Sequence, residues 1–205
     1  MKLSLPRGQK WFAVIVIAAF VLYLGNRLWT HRDIAVNWKE EVLLADGSRM
    51  WVERKKITGI KSGGEPFTNP RGIKTEQVII PGEKDDVVWA FPLRPMILER
   101  GESPSRWVMI AMAINCEDIS RYGATKLPYI QFAYAEGQWS YRQAESKWYG
   151  KQANLSGVYE NTYEQLAKRV GKSFSAEQVK QFNDRIHAGG KALMVVDADY
   201  KTYCN

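Results

Sequence analysis

The chain has 205 residues, 29 of them basic and 22 acidic, for a formal net charge of +7. That length holds one domain with a real core in addition to any leader or anchor. Lys2, Arg7, Lys10, Arg27 and Arg32 all precede the first acidic residue, Asp33; without those five, 24 basic residues face 22 acidic ones, a net of only +2. A near-neutral domain offers no field for tracking phosphates, so nucleic acid is set aside as a partner.

The first organised stretch is Trp11–Leu24, WFAVIVIAAFVLYL, fourteen residues without a polar break. A spanning helix wants about 20 apolar residues, so a signal-peptide core and a buried helix compete with an anchor. The flanks favour the anchor. Trp11 and Trp29 stand about 27 Å apart on a helix, close to the thickness of a bilayer core, and Tyr23 adds to the aromatic belts. Tyr23–Trp29 offers no small-residue cleavage site, and no acylatable cysteine follows. A prepilin-like start would put a glutamate where Ala13 stands. The expectation is an uncleaved transmembrane helix, with Trp11, Phe12, Ile15, Phe20, Leu24 and Trp29 as anchoring residues in a lipid bilayer. The short basic tail favours a cytoplasmic N-terminus and an exported remainder. Residues 1–36 then form lead, anchor and connector, and 37–205 a single domain.

Beyond the anchor, Asp46-Gly47 signals a hairpin between Val42-Leu43-Leu44 and Met50-Trp51-Val52. Lys55–Gly72 reads as a loop with a short strand at Ile57–Ile60. Thr75–Ile80 and Val87–Phe91 form the next strand pair, after which Pro92 and Pro95 break regular structure. Trp107–Asn115 lacks polar alternation, as a strand buried on both faces does, although a short buried helix fits as well. Pro128–Tyr134 and Gln138–Arg142 make another hairpin across Ala135-Glu136-Gly137. The period then becomes helical. Asn161–Val170 places Tyr163, Leu166 and Val170 on one face. Ser175-Ala176-Glu177-Gln178 is a capping box ahead of Val179, Phe182 and Ile186, and Gly189-Gly190 ends that helix. Leu193–Val196 reads as a last strand. The predicted fold class is α+β: one N-terminal transmembrane helix, then a mainly antiparallel β domain with two late helices.

Cys116 and Cys204 are the two cysteines. In an exported domain an even count predicts a bridge, pinning the C-terminus to the body. They do not make a zinc site, and no histidine is spaced to complete one. His187, near the end of the last helix, reads as a cation favoured by the helix dipole. Nucleophile-elbow and phosphate-loop sequences are absent. The acidic pairs Glu40-Glu41, Asp85-Asp86, Glu117-Asp118 and Asp197/Asp199 read as solvated, and no catalytic residue, metal or cofactor is expected. The most suggestive cluster is aromatic: Trp139, Tyr141, Trp148 and Tyr149 among Gln138, Arg142, Gln143 and Lys147. Such side chains serve cores first, and partner or sugar surfaces second.

Trp38-Lys39-Glu40-Glu41-Val42, with Asp46-Gly47 and Glu53-Arg54, resembles the opening of a group of short uncharacterised proteobacterial proteins. Ile80-Pro81-Gly82 ahead of Trp89, and Pro128-Tyr129 with Phe132 ahead of Gly137 and Trp139, extend the likeness. The resemblance implies a bacterial single-domain protein and brings no activity. Together these readings predict a single-pass protein of the bacterial inner membrane with a periplasmic domain. It would act without catalysis, as an accessory or immunity-type subunit binding another envelope protein. The alternative is a peptidoglycan- or glycan-binding, weakly hydrolytic protein using the aromatic surface.

Overall fold

The computed structural model describes residues 15–23, 33–60, 71–101, 106–123, 127–157, 168–189, 195–199 and 204. Its frame is two antiparallel meanders. The first runs β1 (Ile34–Leu43), β2 (Arg49–Ile60), β3 (Arg71–Ile80) and β4 (Val87–Phe91). The second runs β5 (Arg94–Arg100), β6 (Trp107–Met112), β7 (Tyr129–Ala135) and β8 (Gln138–Gln143). A two-residue β9 (Ser173–Phe174) joins β1 in parallel, giving sheets ordered β4-β3-β2-β1-β9 and β5-β6-β7-β8.

The turns follow from residue chemistry. Gly47 has φ +81°, which a glycine adopts without Cβ strain, and Asp46 accepts the Ser48 N–H at 2.8 Å. The second hairpin turns on two residues, Glu136 and Gly137, both left-handed (φ 54° and 81°), as the strand twist requires. β2 is one twelve-residue strand, so the expected loop begins later and Ile57–Ile60 continues the strand. The break expected at Pro95 is instead inside β5. Proline is tolerated there because β5 is an edge strand, and its register shifts between Pro95 and Ile97.

The two sheets close on a shared apolar core. Val42, Val52, Val78, Ile80 and Trp89 face Leu98, Met109, Ala111, Ile130 and Phe132. β6 is buried on both faces, as its unbroken apolar run predicts: Ile110 and Met112 turn the other way. There they meet Tyr129, Trp148, Ala153 and Val196, which cover the outer face of the second sheet. α2 (Cys116–Arg121) follows β6, capped by the Asn115 side chain accepting from the Asp118 N–H. α3 (Ala176–Gly189) lies against β1 and β9. Its predicted capping box forms, with Gln178 accepting the Ser175 N–H at 2.9 Å and Ser175 accepting the Gln178 N–H at 3.4 Å. Cys116 and Cys204 are disulfide-bonded.

One expectation of the fold class is corrected. No N-terminal transmembrane helix is found: among the described residues, no helix is long and apolar enough to cross a membrane. Of the expected span, the described part is the helical segment 15–23, α1. Ile15 and Phe20 in it are 63% and 59% exposed, while Trp11, Phe12, Leu24 and Trp29 lie outside the described residues. Of the two late helices, the second is α3. Most of Asn161–Val170 lies outside the described residues, and 168–170 is a turn. The fold is therefore mostly antiparallel β with few helices.

Candidate functional site

Strand parity sends an unusual set of residues inward from the first sheet. On β1 the inward positions are Val36, Trp38, Glu40 and Val42; on β2 they include Val52, Arg54, Lys56 and Thr58. Three of these eight are charged, and Glu40, Arg54 and Lys56 are buried there with Glu76 of β3. Arg54 bridges Glu40 at 2.9 Å and Glu76 at 2.8 Å, and Lys56 stands 3.9 Å from Glu76. Glu40 also accepts from the Trp38 indole, the Ser156 hydroxyl and the Ser156 N–H. Four donors fill its two oxygens, so it is saturated and unsuited to act as a base. Arg54 and Arg169 both stack on Trp38, at 5.3 and 5.8 Å from the ring centroid. The lid over this layer is also polar: Asn183 of α3 bonds the Gly157 N–H and the carbonyls of Ala153 and Leu155. This is an internal frame holding 153–157 and α3 to the sheet.

The accessible site is a separate one, on the second sheet. On the outer face of the second sheet the apolar cover stops at Trp148, leaving a groove of about 420 Å³. Its floor is Val108, Gln131 and Ala133 from β6 and β7, and its walls include Trp107 and Trp148. Five cations line it, Arg100, Arg106, Arg142, Lys147 and Lys151, against one carboxylate, Glu99. Arg100 stacks on Trp107 at 5.1 Å; Lys147 and Lys151 flank Trp148 at 5.8 and 4.7 Å. Stacking leaves these cations charged and directed by rigid rings.

Each wall is held by local chemistry. Trp148 ends a 3₁₀ turn, and its indole N–H donates to Gln131 at 2.8 Å. Lys151 is fixed through its backbone, which accepts from Val196 N–H at 3.1 Å, next to the single bridge Gln152–Val195. Of the last strand expected at Leu193–Val196, 193–194 lie outside the described residues and Val195 makes that bridge. Glu145 pairs with both Arg142 and Lys147 beside the groove. Glu99 accepts the Ala45 N–H at 2.9 Å. Burial pushes its carboxyl above the ordinary glutamate value, partly opposed by that hydrogen bond and by the charge of Lys151.

The structure separates the four predicted aromatics. Trp139 and Tyr141 share one face of β8, turned toward the first sheet. Trp139 donates to the Val88 carbonyl at 2.9 Å, and Tyr141 packs on Tyr122 at 5.2 Å while staying 50% exposed. Trp148 and Tyr149 pack on the other face. Only Trp148 reaches the groove, and it brings Arg142 and Lys147, already noted as its basic neighbours. Arg100, Arg106 and Lys151 carry no local signal of their own. Glu40 did carry one: it occupies the inward parity of a strand that also buries Val36, Trp38 and Val42. Among the described residues, no group of three or more histidine, cysteine or acidic side chains is placed to hold a metal ion. No family model, curated protein or solved structure matches the chain.

Proposed function

We propose that this protein is a non-catalytic interaction subunit of the bacterial envelope that grips an acidic segment of another envelope protein in the tryptophan-walled basic groove. The observation carrying this reading is the gathering of five cations in a single groove, against Glu99 in its lining and Glu145 beside it, on a domain that is otherwise near neutrality. Such a local field steers an acidic partner and sets its register. The disulfide marks an oxidising compartment, and the periplasm is the one we propose.

Glycan binding draws less support. Trp148 is only 5% exposed and presents no open ring for a sugar, and Trp139 and Tyr141 lie across the sheet from it. The test is affinity purification of the full chain from its native envelope, beside an Arg142→Glu/Lys151→Glu variant. The expected result is a stoichiometric protein partner that elutes with added salt and is at least about tenfold depleted on the variant. Equal recovery on both proteins, or binding to purified sacculi with no protein partner, overturns the reading.

A further inference from the structure

The two sheets have four edge strands, and three are guarded. β5 carries Pro95 and a register shift, and the Asn154 amide bonds both the N–H and the carbonyl of Leu98, at 2.9 and 2.8 Å. β9 is two residues long. β4 has five residues, and its Val88 carbonyl is taken by the Trp139 indole. β8 differs. It is a six-residue strand with no proline, glycine or bulge, and among the described residues its only ladder is to β7. Unguarded edges are where natural sheets accept another strand.

The register shows which groups are free to pair. The two-residue turn makes Ala135 and Gln138 the hydrogen-bonded pair, and alternation then turns the N–H and C=O of Trp139, Tyr141 and Gln143 away from β7. Among the described residues, no backbone hydrogen bond from another segment reaches them. Arg142, on this same strand, points to the opposite face and lines the basic groove. A strand added about 4.8 Å beyond β8 would set alternate side chains beside Arg142 and the groove, and the others beside Tyr141.

We infer that the partner binds by strand addition: an extended segment, acidic at alternate positions, pairs with the outer edge of β8 and lays its carboxylates over the rim of the groove toward Arg142 and Lys147. This rests on the groove reading above and says how the acidic segment is held. Main-chain bonds supply affinity, and the cations select parity and register.

The test uses the full chain and a synthetic peptide of alternating Glu and Thr, about ten residues long, enough to match a strand of ordinary length. At saturation, the amides of Tyr141 and Gln143 should exchange at least about tenfold more slowly, as newly bonded amides do. Tyr141→Pro deletes one outward donor and should weaken binding about tenfold, while Tyr141→Ala keeps the donor and should bind within about threefold of wild type. If Tyr141→Pro does not fold, exchange on the wild-type chain decides alone. Peptide binding that Arg142→Glu/Lys151→Glu abolishes, with no protection at Tyr141 and Gln143, overturns strand addition and leaves the groove reading standing. Absence of saturable binding overturns both.

Discussion

Arg54 carries two buried carboxylates on one guanidinium, at 2.9 and 2.8 Å, with Trp38 beneath it. Desolvating such a layer is costly, and removing one member strands the others without solvent. Arg54→Met is therefore expected to lower stability by about 3–5 kcal/mol in urea denaturation. Glu177 offers the contrasting surface case. Its hydrogen bond from Arg49 holds its carboxyl down from 4.5 to about 2. A depressed carboxylate contributes stability that is present above the unfolded value and is lost as pH falls through the folded one. Glu177→Gln should therefore lose less stability than wild type between pH 4.5 and 2, by a small margin because both partners are exposed. Beside the groove, Glu145 competes with any incoming acid for Arg142 and Lys147. Glu145→Gln should tighten binding of the acidic peptide several-fold, about the effect of one exposed charge pair, as read by calorimetry.

β6 is the element on which both cores depend, since Met109 and Ala111 face the first sheet while Ile110 and Met112 face the outer cover. Met109→Ala should cost about 2–5 kcal/mol in the same urea measurement, because neighbours on two sheets cannot collapse into the space left. Elements of this kind were legible in the sequence. The burial of β6 follows from its unbroken apolar run, both tight hairpins from their Asp-Gly and Glu-Gly turns, and the start of α3 from its capping box. β5 was not legible, because Pro95 reads as a breaker until the strand is known to lie at an edge. α2 is only six residues long, too short for a helical period, and depends on its Asn115 cap.

The whole molecule is two meanders closed against each other and tied by the bond from Cys116, just after β6, to Cys204. Cys204→Ser should cost about 2–5 kcal/mol in thermal or urea unfolding, since the bridge closes a long loop of chain. The sequence by itself determined the local order: which stretches are strands, where they turn, how α3 begins, and that basicity belongs to the first 32 residues. It also pointed to the disulfide, because the two cysteines of the chain have only each other to pair with. At the N-terminus the apolar run of fourteen residues suggested a span, but among the described residues no helix is long and apolar enough to cross a membrane. Only the tertiary structure decided the groove: Arg100 on β5 and Arg142 on β8 stand on opposite edges of the sheet ordered β5-β6-β7-β8, and Arg106, Lys147 and Lys151 join them around a floor of β6 and β7. Residues some 40 positions apart leave no mark in a local pattern. For the same reason it alone split Trp139 and Tyr141 from Trp148: neighbours in sequence go to opposite sides when the chain leaves a strand and folds back across its other face.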